Sequence, residues 1–277
     1  MRGRVDRIAM LALPGVGYLA LIYALPLVLL LLESLRNAEG AFSIGAYTAF
    51  FADPFNMTVF WRTLRVAALT TLLALVIAYP TAFALARARG WVQTVILVAM
   101  VLPLSVGVIV KAFAWSILFR TNGALNEALV GLGIVEKPVR MLFTETALVI
   151  GAANVFLPFM VLPIYAVVRQ LDPAMGAAAA SLGATPWFRF TRVTLPLTLP
   201  GVVAGSAFVF SLSISMYVIP SLIVGERQQT LSMLIARSFL FLRNEQLGST
   251  ISAILLLIAV AVVVGSAWAA RRLGSRE

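Results

Sequence analysis

The chain has 277 residues, 61% of them apolar and 12% charged, with a mean hydropathy of +1.00. A charged share about half that of ordinary soluble domains leaves too little polar surface to coat a water-soluble fold, so a soluble enzyme or binding module is excluded and a polytopic membrane protein remains. With no Cys and no His, disulfides, Cys/His metal sites and histidine-based catalysis are excluded. The net charge of +10 is scattered over short segments, which reads as topology control and contact with anionic lipid headgroups, not as nucleic-acid binding.

Six apolar segments follow in chain order, at residues 8–32, 66–86, 92–119, 147–168, 201–224 and 251–270. Each reaches the roughly 20 residues a helix needs to span a bilayer, and none shows the period-two alternation of a membrane β-barrel. An all-α polytopic membrane protein with six transmembrane helices in a single transmembrane domain, 1–277, is the expected fold class. The first segment has a basic start (Arg2, Arg4, Arg7) but runs for about 25 apolar residues, beyond the 7–15 of a signal peptide, so it reads as an uncleaved span kinked at Pro14 and Pro26. An even number of spans puts both ends on one side. With the ends inside, Arg2, Arg4, Arg7, Arg87, Arg89, Arg169, Arg189, Arg192, Arg271, Arg272 and Arg276, eleven of the 21 basic residues, are cytoplasmic.

Polar residues inside apolar segments are functional candidates by default. Lys111, two-thirds along the third segment, reads either as snorkelling to the outer headgroups or as a charge facing a solute path or a partner. Asn154 in the fourth reads either as an interhelical hydrogen-bonding residue or as a solute contact. In the fifth, Ser211 and Ser215 share one helical face, and Ser213 and Tyr217 a neighbouring one. These are either small residues for close packing or a polar wall, and Pro220 is expected to break the helix near its outer end. Segments 33–65, 120–145 and 225–248 are mixed polar and aromatic and are expected outside. Asn122-Gly123 reads as a turn, and 231–241 is too short to span, so it is expected as a re-entrant or interfacial helix or as a partner contact.

The longest inside segment, 169–200, has an alanine-rich middle from Ala174 to Leu182. Asp172 before Pro173 predicts an N-cap with Pro at the first helical position, and Gly183 predicts the stop. Trp187 and Phe188 follow as aromatic anchors. A short helix outside the bilayer is therefore expected, either resting in the headgroups or docking a cytoplasmic partner.

Ala177-Ala178-Ala179-Ala180-Ser181-Leu182-Gly183-Ala184, then Phe190, Val193, Leu195-Pro196-Leu197 and Pro200-Gly201, resembles the EAA motif of ABC importer permeases, E-A-A-x-x-L-G-A followed by F-x-x-V-x-L-P-L-x-x-P-G. Leu102-Pro103, residues 111–118, Asn122-Gly123, 157–165 and 210–220 extend the resemblance to the spermidine/putrescine-type permeases over nearly the whole chain. The resemblance implies a type I, MetI-like inner-membrane permease. In that family the 169–200 loop forms a coupling helix that docks on a cytoplasmic ABC ATPase, here through Ala177, Ala178, Leu182, Gly183, Ala184, Trp187 and Phe188. It implies two ATPases, a second permease subunit (different or identical), a periplasmic solute-binding protein that delivers the solute, and no cofactor. The motif's glutamate falls at Ala177, so any ion pair it makes with the ATPase is absent at this position.

The resemblance also implies a polar solute, such as a polyamine, an opine or an amino-acid-like molecule; Lys111, Asn154, Ser211, Ser213, Ser215 and Tyr217 are the candidates for its path. Some members of the subfamily carry an acid where Met216 stands. Its absence weighs against a polyamine and leaves a zwitterionic or anionic solute as open. No G-x-x-x-x-G-K-[ST] phosphate loop and no G-x-S-x-G elbow is present, so ATP hydrolysis is expected in a separate subunit and the chain is not expected to be an enzyme. The rival reading, a secondary transporter or channel without an ATPase, wants intramembrane acids or inverted repeats, and neither is evident.

Overall fold

Without water to satisfy its N–H and C=O groups, an apolar chain in a bilayer satisfies them internally, and this one does so with helices. The computed structural model describes residues 2–37 and 40–274. In order these form α1 (Arg2–Ser34), α2 (Gly45–Ala52), α3 (Pro54–Arg87), α4 (Trp91–Ser105), α5 (Val108–Leu118), α6 (Ala124–Gly131), α7 (Glu145–Val168), α8 (Pro173–Ser181), α9 (Pro186–Arg189), a π-helical turn (Phe190–Thr194), α10 (Leu195–Ser215), α11 (Val218–Ile223), a 3₁₀ turn (Gly225–Gln228), α12 (Leu231–Leu240) and α13 (Glu245–Gly274). Arg276, counted above among the inward charges, lies outside the described residues.

Five helices among the described residues are long and apolar enough to cross a membrane: Pro14–Ser34, Pro54–Arg87, Glu145–Val168, Pro186–Ser215 and Glu245–Ala270. A sixth crossing is reached by counting α4 and α5 together. Where one helix is expected over 92–119, these two meet at 103°. Pro103 has no N–H to continue the ladder, Val106 turns extended (φ −86°, ψ 125°), and Gly107 opens the next helix.

The second break also differs from expectation. Pro220 lies inside α11, and the helix ends four residues earlier, at Met216 (φ −65°, ψ 132°). A proline ring excludes the carbonyl of residue i−4, which here is residue 216, so the break falls ahead of the proline and not at it.

The chain divides into two compact units. One comprises Met1–Met57 with Leu234–Leu256. In it Ser34 hydrogen-bonds Tyr47 (2.8 Å), Gln246 Nε2 donates to the Arg36 carbonyl, and the Phe50 ring is buried.

The other unit comprises Thr58–Met233 with Leu257–Glu277, and its centre is α7. Thr144 caps α7 by accepting from the Ala147 N–H (3.2 Å), and Glu145 sits in the first turn, where the helix dipole favours it. Leu148, Ala152, Met160, Val161 and Ile164 are fully buried. Helix α10 lies against α7 at backbone range. A β-carbon on Gly201 would come within 2.8 Å of the Pro163 carbonyl oxygen, and one on Gly205 within 3.0 Å of that of Met160. Small residues four apart allow such an approach. These contacts fix an antiparallel register for the pair.

Candidate functional site

The α8–α9 loop is built by local rules. The Asp172 carboxylate accepts from the Ala174 N–H (2.8 Å), and Pro173 opens α8. At the other end Gly183 adopts φ +80°, its N–H donates to the Ala180 carbonyl (3.0 Å), and the Ala184 N–H donates to that of Ala179 (3.1 Å). This is a Schellman motif, whose left-handed residue glycine supplies without strain. Thr185 then caps α9 by accepting from the Phe188 N–H (3.3 Å), with Pro186 at its first position.

The loop presents apolar surface. Leu182 is 88% exposed and Trp187 73%; Phe188, Ala177, Ala178 and Gly183 are also exposed, and Ala184 is half-buried. Ala179, Leu182, Gly183, Ala184, Thr185 and Phe188 line a shallow hollow of about 410 Å³. The structure thus gathers most of the residues the motif singles out into one patch, and a contiguous apolar patch marks a contact surface.

The patch is tied to the helices beneath it by residues the sequence did not single out. Trp187 leans on Phe190 (5.8 Å between centroids), and Phe190 stands edge-on to Tyr79 of α3 (5.9 Å). Tyr79 also contacts Phe83 (5.1 Å) and hydrogen-bonds Thr198 of α10 (2.9 Å). Between loop and span the ladder widens to a π-turn, in which the Leu195 N–H reaches the Phe190 carbonyl, because Pro196 supplies no donor of its own. The only sequence signal for Tyr79 was a Tyr-Pro pair inside an otherwise apolar helix.

The polar residues of the apolar segments are placed unevenly. Ser211 and Ser215 line a cavity of about 530 Å³ with residues of α10 and α13, including Phe208, Val263 and Ser266. The Ser211 hydroxyl is buried without a partner, and Ser215 donates to the Ser211 carbonyl (2.9 Å). Ser213 is turned into the core and donates to the Val209 carbonyl (2.7 Å), so it does not join them. Tyr217, 44% exposed, stands at the break after α10. Asn154 is exposed on α7, and its Oδ1 accepts from the Trp115 indole N–H of α5 (3.2 Å). Lys111 is half-buried on α5, one turn before Trp115.

At the start of α7 a further cluster escaped the sequence. Glu145 pairs with Arg65 (2.5 Å) and Arg62 (3.4 Å) of α3. Arg62 also donates to the Gln229 carbonyl (3.3 Å), and Thr63 accepts from the Leu231 N–H (2.9 Å). These pairs join residues about 80 and 168 positions apart, so no local pattern marks them.

Residues 75–275 match the family described as binding-protein-dependent transport system inner membrane component. The chain is similar to the spermidine/putrescine transport system permease protein PotB of Haemophilus influenzae, 31% identical over 267 residues, covering 94% of this chain and 93% of that protein. It is equally similar to PotB of Escherichia coli, 31% identical over 268 residues, covering 95% and 97%. In fold it resembles a bacterial alginate ABC transporter solved with an alginate pentasaccharide-bound periplasmic protein (TM-score 0.78, 17% identity, 98% of this chain and 96% of that one). It also resembles the inward-facing MetNI methionine ABC transporter (TM-score 0.56, 17% identity, 77% and 93%).

Proposed function

The chain belongs to the family of binding-protein-dependent transport system inner membrane components and is a permease subunit of an ABC importer; from that premise we propose that the α8–α9 loop is where a separate ATPase grips it. The observation that carries this reading is a capped, exposed helix with no charged side chain, closed by the Schellman turn at Gly183 and rimmed by Leu182, Trp187 and Phe188. Ala177, Ala178 and Ala184 leave the surface low enough for close backbone approach. With alanine at 177, docking relies on apolar contact and not on a carboxylate.

In this reading the loop and both chain ends are cytoplasmic, and the segments after α1, α5 and α11 face the binding protein. A second permease completes the path. Movement of the ATPases shifts the loop as a rigid body, and the Trp187–Phe190–Tyr79–Thr198 chain passes that shift to α3 and α10. Small residues and hydroxyls on α10 (Ser211, Ser215), with Tyr217, Asn154 and Lys111, border the path of a small polar solute.

The test is Leu182→Glu, made where the side chain is almost wholly in solvent so that folding is spared. The variant is expected to lose about ten-fold or more of the ATPase that copurifies with the wild-type complex, and with it ATP-driven uptake. Undiminished copurification overturns the docking assignment, and uptake by liposomes holding the chain without an ATPase overturns the coupled-importer reading.

A further inference from the structure

Across the six apolar segments, 8–32, 66–86, 92–119, 147–168, 201–224 and 251–270, there is one charged side chain, Lys111, and no carboxylate. A diamine or triamine moving along this subunit therefore meets a fixed cation and no acid to offset it. The nearest carboxylates stand at span ends: Glu33 at the end of α1, Glu245 at the start of α13, and Glu145 at the start of α7, where it already faces Arg62 and Arg65.

Lys111 lies on a stripe of α5 that leads to a second donor. Trp115, one turn on, shares its face and donates its indole N–H to Asn154 Oδ1 (3.2 Å). That bond takes one of the two lone pairs of the amide oxygen and orients its NH₂ group, which has no bond of its own among the described residues. Asn154 is exposed although its neighbours Ala153 and Val155 are buried at 2% and 4%. An amide facing hydrocarbon is costly, so an exposed one in mid-span belongs to a wet path or a polar contact. Ser211, whose hydroxyl also lacks a partner, faces α13 and does not join Lys111 and Asn154. The ammonium of Lys111 and the amide NH₂ of Asn154 are two donors with no anion beside them.

Resting on the permease reading, we infer that Lys111, with Asn154 held by Trp115, is a subsite for a carboxylate of the solute, so that this importer carries a carboxylate-bearing small molecule. A carboxylate takes charge-assisted bonds from the ammonium and the amide, whereas a polyamine's ammonium is repelled by Lys111 and has only the second lone pair of Asn154 Oδ1 to receive it.

The experiment uses the complete transporter, with its second permease, ATPase and binding protein, in proteoliposomes. The probes are radiolabelled putrescine and spermidine against 4-aminobutyrate and glutamate; 4-aminobutyrate has putrescine's length with a carboxylate in place of one ammonium. ATP-dependent uptake of a carboxylate probe is expected. It should fall about ten-fold or more in Lys111→Gln and return to within about three-fold of wild type in Lys111→Arg. Lys111→Met provides the same test should the glutamine variant fail to assemble on size exclusion. Uptake confined to amines, no uptake of any carboxylate probe, or carboxylate uptake unchanged in the assembled Lys111 variants overturns the inference. ATP hydrolysis stimulated by the binding protein is read in the same vesicles. A complex that responds to the binding protein yet imports only amines keeps the permease reading and loses this one; a complex that does not respond fails both.

Discussion

Tyr79 of α3 donates its hydroxyl hydrogen to Thr198 Oγ1 of α10 across 2.9 Å, joining positions 119 residues apart. The direction follows from Thr198, whose own hydrogen goes back to the Thr194 or Leu195 carbonyl (3.0 Å each). Thr198 is fully buried, and the ring of Phe190 at the root of the loop stands against Tyr79.

Tyr79→Phe removes that bond and keeps the ring. The cost to thermal stability is expected to be about 0.5–1 kcal/mol, the usual worth of one such bond between membrane helices. The larger effect is expected in coupling, read as more ATP hydrolysed per solute imported. Tyr79→Leu, which also removes the ring contact with Phe190, should waste still more.

Gly201 sets how closely α10 lies on α7. A β-carbon there meets the Pro163 carbonyl at 2.8 Å and the Ile164 Cα at 3.0 Å, and neither is a flexible side-chain tip. Gly201→Val is expected to cost about 2–3 kcal/mol through overpacking, read by thermal unfolding in detergent. Gly265→Ala, where nothing lies within 4 Å, should be neutral or slightly stabilising in the same assay.

The pairs at the start of α7 are unequal. Arg62 is 20% exposed and also holds the Gln229 carbonyl, while Arg65 is 62% exposed. Arg65→Ala is expected to change stability by less than about 0.5 kcal/mol, and Arg62→Ala to cost about 1–2 kcal/mol. Added salt should shrink the first effect more than the second, which parallel melts at low and high ionic strength would read.

Asp172 fastens the front of α8. Asp172→Ala leaves the Ala174 N–H without its cap and is expected to cost the short helix about 1 kcal/mol. Hydrogen exchange over residues 173–181 should quicken, and the affinity for the ATPase should drop several-fold, while the spans keep their exchange rates. Asp172→Asn, which preserves the cap, should restore both.

The loop was largely readable in advance because its limits are local chemistry: Asp172 with Pro173 at one end and Gly183 at the other, each acting within four residues. The two breaks were harder. Hydropathy averages over Val92 to Phe119 and is blind to the missing donor at Pro103, and the effect of Pro220 was displaced one turn backward to Met216. Serine spacing on α10 correctly paired Ser211 with Ser215 but did not reveal that Ser213 bonds its own backbone and faces the core. Tyr79, Trp115 and the Glu145 cluster stayed hidden because their partners are set by how helices pack.

Between Asp172 and Arg189 the chain carries no ionisable side chain. A joint made from such a segment answers to different conditions than one made from ion pairs. Apolar contact strengthens in excluded salts such as sulfate and weakens on cooling, whereas a carboxylate–cation contact is screened by salt. The docking proposed for this loop is therefore expected to be tolerant of brine and vulnerable to chill.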